Sequence, residues 1–195
     1  DDQGKQHPAT EVSFNMKEFA AATVEAYMSV CEALDGKRPV LRPASTPFVP
    51  AKTVSMTPPP QSWEEIAQEA REEIDKSTLP RGRLAASAAS LVMKALWLAR
   101  ISRPDIAKAV GDLSRKISCW TDEQDAGMKR LVEYLHENPD YVLVGVVSGT
   151  VDDVVIRGFA DADFAASRKQ RSTSGGYVEV LSRGGACFPL TWTSR

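Results

Sequence analysis

Cysteine is scarce and scattered. Cys31, Cys119 and Cys187 are far apart and odd in number, which excludes a disulfide framework and any zinc-ligand spacing and fits reduced intracellular thiols. Histidine is scarcer still. His7 lies in a polar terminus and His136 at a predicted helix end, and neither has a partner at catalytic or metal-ligand spacing. Long apolar runs are missing. The most apolar segment, Leu84 to Ile101, is broken by Ser87, Ser90, Lys94 and Arg100, so it falls short of the ~18 residues needed to cross a bilayer. The first residues, DDQGKQHPAT, hold no apolar signal core and no initiator Met, so a piece of something longer is expected. Neither charge dominates: 24 Lys+Arg face 26 Asp+Glu, a net charge of −2. That excludes a generally basic nucleic-acid binder and leaves room for a local basic patch. P-loop, G-x-S-x-G and dinucleotide fingerprints are absent. What is present is ordinary for a globular chain of 195 residues: 43% hydrophobic and 26% charged, enough for one domain or two small ones.

Charge is uneven along the chain. Residues 1–80 hold 8 basic and 13 acidic side chains, residues 81–156 hold 10 and 10, and residues 157–195 hold 6 and 3. Any polyanion contact is therefore sought first in the last stretch. Helical spacing of Phe19, Thr23, Ala26 or Tyr27, and Val30 predicts a helix from about Met16 to Leu34, stopped by Asp35-Gly36. Seven of the twelve prolines lie between Pro39 and Pro60, which predicts an extended linker lying over a surface. Ser62 and Glu65 form a capping box for a short acidic helix to about Asp75. Ala85–Arg100 predicts a helix, Arg103-Pro104-Asp105 a break, and Ile106, Val110, Leu113 and Ile117 one face of the next helix, to Ile117. Thr121 to Gln124 is a capping box opening a helix that ends before Pro139. The period then changes to two. Strands are predicted at Tyr141–Val147, Val154–Phe159, Gly175–Leu181 and Ala186–Trp192, with Ser182 to Gly185 as a hairpin turn, and their spacing favours an antiparallel meander. The fold class expected is α/β (α+β): a helical unit followed by antiparallel strands.

Two local patterns could carry chemistry. Asp161 and Asp163 end an apolar strand two residues apart, on one face. Such a pair suits Mg²⁺, which takes a few carboxylate oxygens plus water and phosphate; it equally suits a solvated strand end. The following stretch, Ser167 to Gly176, brings Arg168, Lys169 and Arg171 together with Ser172 and Thr173. It could contact a phosphate backbone or serve as a polar loop. Asp152-Asp153 sits between Gly149 and an apolar run, with Thr150 where a polymerase motif would carry an aromatic, and reads as a turn.

These segments occur together in a known order: Pro43-Ala44-Ser45-Thr46-Pro47, Leu91–Ala99, Arg103-Pro104-Asp105-Ile106-Ala107, Leu113-Ser114-Arg115, Lys129-Arg130-Leu131 with Tyr134-Leu135, Asp161-Ala162-Asp163-Phe164-Ala165, Arg171–Gly175 with Tyr177, and Trp192. From about residue 20 onward the chain resembles the Pol polyprotein of copia-type LTR retrotransposons, downstream of the reverse-transcriptase palm and into the ribonuclease H domain. The resemblance implies three regions. Residues 1–80 would be an N-terminal helix, Pro-rich linker and short acidic helix. Residues 81–140 would be a helical thumb/connection region, and 141–195 a truncated ribonuclease H-like domain. It implies that Asp161 is the first metal-binding acid of a ribonuclease H site using Mg²⁺, with Asp163 beside it, and that Arg168, Lys169, Arg171, Ser172 and Thr173 contact nucleic acid. Departures are Phe164 for the usual Trp, an extra Gly176, and Phe188-Pro189 before Trp192. The parent polyprotein would be an RNA-directed DNA polymerase with ribonuclease H activity. This chain would lack the palm aspartates and the later ribonuclease H acids, bind no Mg²⁺ tightly and be inactive alone. Expected partners are an RNA–DNA hybrid or template–primer duplex and the remainder of the polyprotein, with no membrane, inside the cell in cytoplasm or nucleus. The alternatives are a host-retained, non-catalytic interaction module and a decayed retroelement remnant.

Overall fold

The computed structural model describes residues 8–48, Ser62, Glu64, 80–167 and 170–194, with the backbone alone over 163–167 and 170–174. The linker beyond Phe48 and the acidic helix expected after Ser62 lie outside the described residues, Glu64 apart. Helix α1 (Lys17–Asp35) buries Ala20, Thr23, Tyr27 and Cys31 at helical spacing. It stops where Gly36 takes φ 71° and donates its N–H to the Glu32 carbonyl at 2.8 Å, a left-handed turn that suits a residue without Cβ. Helix α2 (Ala88–Ile101) buries Leu91, Val92, Ala95 and Leu98. Pro104 then opens a 3₁₀ turn (Pro104–Ile106) that runs into α3 (Ala107–Ser114). The sequence predicts one helix to Ile117. Instead the ladder tightens when the Lys116 N–H bonds the Leu113 carbonyl at 3.0 Å, and a second 3₁₀ turn (Ile117–Cys119) follows. Helix α4 (Asp122–Glu137) begins at the expected capping box, where the Gln124 side-chain oxygen accepts from the Thr121 N–H at 3.1 Å and hydroxyl at 2.8 Å.

Helices α1 to α4 close on one core in which Tyr27, Leu98, Ile106, Val110, Trp120 and Leu131 are fully buried. Leu113 lies on the assigned face and is buried. Two polar devices tie the entering chain to α4. Asp125 accepts from the Arg83 N–H at 2.7 Å, the Leu84 N–H at 3.2 Å and the Trp120 indole N–H at 2.6 Å. Residues 42–46 form a strap across the helix. The Arg42 N–H donates to Glu133 at 3.1 Å, and Arg130 donates to the Thr46 carbonyl at 2.9 Å and hydroxyl at 3.1 Å. The start of the proline-rich stretch is thus extended and surface-laid because α4 holds its backbone.

Two antiparallel sheets complete the described residues, giving the mixed α/β class expected from sequence. In one, β1 (Ala9–Phe14) pairs with β2 (Leu143–Ser148), Ala9 opposite Ser148 and Phe14 opposite Leu143. In the other, β3 (Val155–Ser167), β4 (Gln170–Leu181) and β5 (Cys187–Ser194) lie in the order β3-β4-β5. The sequence places the strand near Tyr141–Val147 in the same meander as the later ones; it pairs with β1 instead. A 3₁₀ turn (Val151–Asp153) carries the chain from one sheet to the other, with Asp153 accepting from the Thr150 N–H at 2.8 Å and hydroxyl at 3.0 Å. Asp152-Asp153 is therefore part of a turn. The expected turn between β4 and β5 is present, with Gly184 and Gly185 at φ 72° and 80°. The sheets meet where Phe188 packs on Phe14, ring centroids 6.0 Å apart, and over Gly145, whose Cβ would stand 2.2 Å from the Phe188 ring. Among the described residues no helix is long and apolar enough to cross a membrane.

Candidate functional site

Strand β5 seats the three-stranded sheet on the helices. The Trp192 indole N–H donates to the Ala99 carbonyl at the end of α2, at 2.7 Å. Gly111 on α3 admits the Ser194 carbonyl, 3.2 Å from where a Cβ would stand. With β5 held there, β3 forms the opposite edge. A cleft of about 740 Å³ opens between Pro104, Ala107 and Lys108 on one side and the sheet face bearing Phe159, Asp161, Tyr177 and Trp192 on the other.

Alternate strand residues share a face, which lines up Arg157, Phe159 and Asp161 along β3, opposite Glu179, Tyr177 and Gly175 of β4. Phe159 and Tyr177 stack at 4.5 Å and 10°. The Arg157 guanidinium lies 5.6 Å from the Phe159 ring centroid and pairs with Glu179. Asp161 is exposed. Asp163 is two residues further on, opposite Thr173 in the register, and Phe164 is opposite Ser172. Arg168 and Lys169 lie outside the described residues, between the paired Ser167 and Gln170. Arg171, Ser172 and Thr173 belong to β4 itself, so the stretch expected to be a loop is largely strand. The ladder continues because Asp163, Phe164 and Ser167 all find partners across it.

The opposite wall contains a buried ion pair. Arg103 is 2% exposed, donates through Nε and Nη2 to Asp105 at 3.0 and 2.8 Å, and donates through Nη1 to the Asn138 carbonyl at 2.9 Å. Its guanidinium lies over two rings, 5.6 Å from the Tyr134 centroid and 5.0 Å from that of Tyr141. The Tyr134 hydroxyl donates to the same carboxylate at 2.9 Å. Burial, and then this hydrogen bond, push the Tyr134 phenol up to about 12. The Arg103-Pro104-Asp105 segment is thus a structural clamp: Arg103 caps the end of α4 and Pro104 starts the next turn. Sequence reading missed Lys108 and the Phe159–Tyr177 pair. The alternation of Arg157, Phe159 and Asp161 was a usable signal for the second, whereas Lys108 reaches the cleft only through the tertiary fold.

Among the described residues no group of three or more His, Cys, Asp or Glu side chains could hold a metal ion. Asp105 lines the cleft with Asp161, but its oxygens accept from Arg103 and Tyr134. A divalent cation would find one available carboxylate there, fewer fixed ligands than a built Mg²⁺ site provides without substrate. The described residues do not fit the ion.

Sequence comparison finds relatives of this chain among mobile elements. The retrovirus-related Pol polyproteins from transposons RE1 and RE2 of Arabidopsis thaliana are each 26% identical over 104 residues, which is 53% of this chain and 7% of theirs. The chain is a relative of retrotransposon Pol polyproteins and spans a small part of their length. Secreted RxLR effector protein 161 of Plasmopara viticola is 35% identical over 108 residues, covering 54% of this chain and 70% of that protein. The chain belongs to the same family as that protein. No family model and no solved structure matches it.

Proposed function

We propose that the chain is a fragment of a copia-type retroelement Pol polyprotein, made of the thumb/connection helices and the first strands of the ribonuclease H domain. Its role is to contact the RNA–DNA duplex, and Asp161 is its contribution to the ribonuclease H site. The observation that carries this reading is the antiparallel meander β3-β4-β5 with Asp161 on the first strand and Arg171 to Thr173 on the next. An exposed carboxylate faces an open cleft, and the cationic stretch Arg168 to Arg171 follows it in the sequence. Phosphate contacts from that stretch fix the duplex without reading its sequence. In the whole polyprotein further carboxylates would join Asp161. Alone, this chain binds and does not cleave.

Fluorescence anisotropy with a labelled RNA–DNA hybrid tests the reading. Three phosphate contacts, from Arg168, Lys169 and Arg171, give a log–log salt slope of about −2.7, so affinity falls roughly fortyfold from about 50 to about 200 mM salt. Replacing all three by Ala flattens that slope. Binding that ignores salt, or that the triple variant retains in full, sinks the duplex role. Hybrid cleavage that disappears in Asp161→Asn sinks the claim of an incomplete site. A second reading has its own support: the effector relative is matched over 70% of its length, against 7% of each Pol polyprotein. On that reading the chain is a retained, non-catalytic interaction module, and the folded protein binds no hybrid at any salt concentration.

A further inference from the structure

The strap carries a pattern that the duplex reading leaves unused. In Pro43-Ala44-Ser45-Thr46-Pro47 the side chains of Ala44 and Pro47 are buried, with Ser45 exposed and Thr46 half-buried between them. The Thr46 hydroxyl donates to the Phe48 carbonyl at 3.0 Å and accepts from Nη2 of Arg130 at 3.1 Å. Nε of the same guanidinium donates to the Thr46 carbonyl at 2.9 Å. Arg130 therefore holds one residue of the strap by two of its atoms. Among the described residues no carboxylate pairs with Arg130, whereas Lys129 beside it lies 3.8 Å from Glu133. A guanidinium offers several donors in a flat fork, so donors remain for a further acceptor.

Pro47 sets the local backbone. A residue before proline is driven out of the helical region, so Thr46 is kept in a non-helical segment of the kind a kinase cleft accepts. The chain has a second Thr-Pro step, Thr57-Pro58, outside the described residues. What marks Thr46 is the cation already on its hydroxyl. A phosphoryl group added to that oxygen brings a charge of about −1.5 to −2, one bond beyond an atom that Nη2 touches. Arginine–phosphate hydrogen bonds are roughly twice as strong as neutral ones and frequently bidentate. Glu133, three residues further along α4, also faces the strap, but its carboxylate accepts from the Arg42 N–H at 3.1 Å and sits beside Lys129.

We propose that Thr46 is a phosphorylation site for a proline-directed kinase and that Arg130 receives the phosphate, locking the strap onto α4. The strap is held through Arg42 and Thr46, so the kinase acts when those bonds open and the strap lifts from the helix. Oγ1 of Thr46 then attacks the γ-phosphorus of ATP, the bond from that phosphorus to its bridging oxygen breaks, ADP leaves, and the hydroxyl proton passes to the carboxylate base of the kinase. The modified side chain has no hydrogen left to donate to the Phe48 carbonyl. Settled back on α4, it exchanges a neutral bond from Nη2 for a charge-assisted one. The proposal goes beyond the duplex-binding reading and does not depend on it, because Arg168, Lys169 and Arg171 take no part.

Incubating the whole chain with a purified mitogen-activated protein kinase and ATP, and mapping the label by mass spectrometry, tests the site. Phosphate is expected on Thr46 and is absent from that position in Thr46→Ala. A chain left unlabelled, or labelled only at Ser45 or Thr57, overturns the assignment. Two readouts test the lock. Phosphorus NMR titration of the modified chain should place the second ionisation of the phosphate below its ordinary value of about 6, because Arg130 favours the dianion; in Arg130→Gln, with folding verified by circular dichroism, it returns to that value. Amide hydrogen exchange reports lifting of the strap directly, since the Arg42 N–H is held by Glu133. Phosphorylation should slow exchange at Arg42 about tenfold, the difference between a neutral and a charge-assisted bond. An ionisation that is the same in the native and Arg130→Gln chains, or an Arg42 amide that exchanges as fast as before or faster, overturns the lock.

Discussion

Replacing Asp105 by Ala tests the clamp. Arg103 is 2% exposed and its carboxylate partner is 28% exposed at the side chain, so the arginine is the buried member. Removing the carboxylate leaves a buried guanidinium with the Asn138 carbonyl and two aromatic rings, and leaves the Tyr134 hydroxyl without its acceptor. Breaking a buried pair from one side costs about 3–5 kcal/mol. The partial exposure of Asp105 lets water approach the gap, which puts the loss at the lower end, about 3 kcal/mol. A chain of this size loses roughly 2–4 °C of melting temperature per kcal/mol, so Tm falls by about 6–12 °C. Urea melts at pH 7 give the free energy directly. The double variant Arg103→Met, Asp105→Leu removes both charges and recovers most of the loss, because a well-packed apolar pair avoids desolvation altogether. A loss under about 1 kcal/mol in Asp105→Ala would refute the reasoning: it would mean that Arg103 reaches solvent and the pair behaves as a surface one.

Two further outcomes follow from the same core. Leu113→Asp places a carboxylate on the buried face of α3, where it lacks a partner; the cost is several kcal/mol, and far-UV circular dichroism should show lost helix and a collapsed melting transition. Alkaline stability follows from Tyr134, whose phenol rises from 10.0 to about 12 in the fold. The unfolded chain ionises first, so this contribution is complete below pH 10 and is lost as pH rises toward 12. Tyr134→Phe should flatten that part of the stability profile, and ultraviolet titration of the native chain should show a phenol ionising late.

The helical half was legible because its signals are local. Gly36, the Thr121–Gln124 box and Pro104 each act within one turn of their own position, and the apolar spacing of Val110 and Leu113 reports which face is inside. The alternation in Gly175–Leu181 likewise marked a strand. What the sequence hid is non-local. β1 is short and carries Thr10, Glu11 and Ser13, so nothing in its own composition marks it; it exists through its pairing with β2. The strap at Arg42–Thr46 depends on Arg130 and Glu133, one turn apart on a helix far along the chain. Asp161 was expected at a strand end, but β3 runs on to Ser167 and places it mid-strand; its cleft was not legible, since Lys108 and Trp192 reach it from distant elements.

The pairing of β1 with β2 also has a consequence in time. Ala9 is joined to Ser148 and Phe14 to Leu143, so during synthesis the first strand leaves the ribosome long before its partner exists. At translation speeds of about 5–20 residues per second, the interval is roughly 7–30 seconds. Helices α1 to α4 can nucleate within microseconds of emerging, so the helical core can form before the two-stranded sheet closes, and β3 to β5 follow later still. Until then β1 is an unpaired strand, open to chaperones and to proteolysis. Cleavage there would leave β2 without its strand partner, so the wait for residues 143–148 is a window of exposure set by the topology alone.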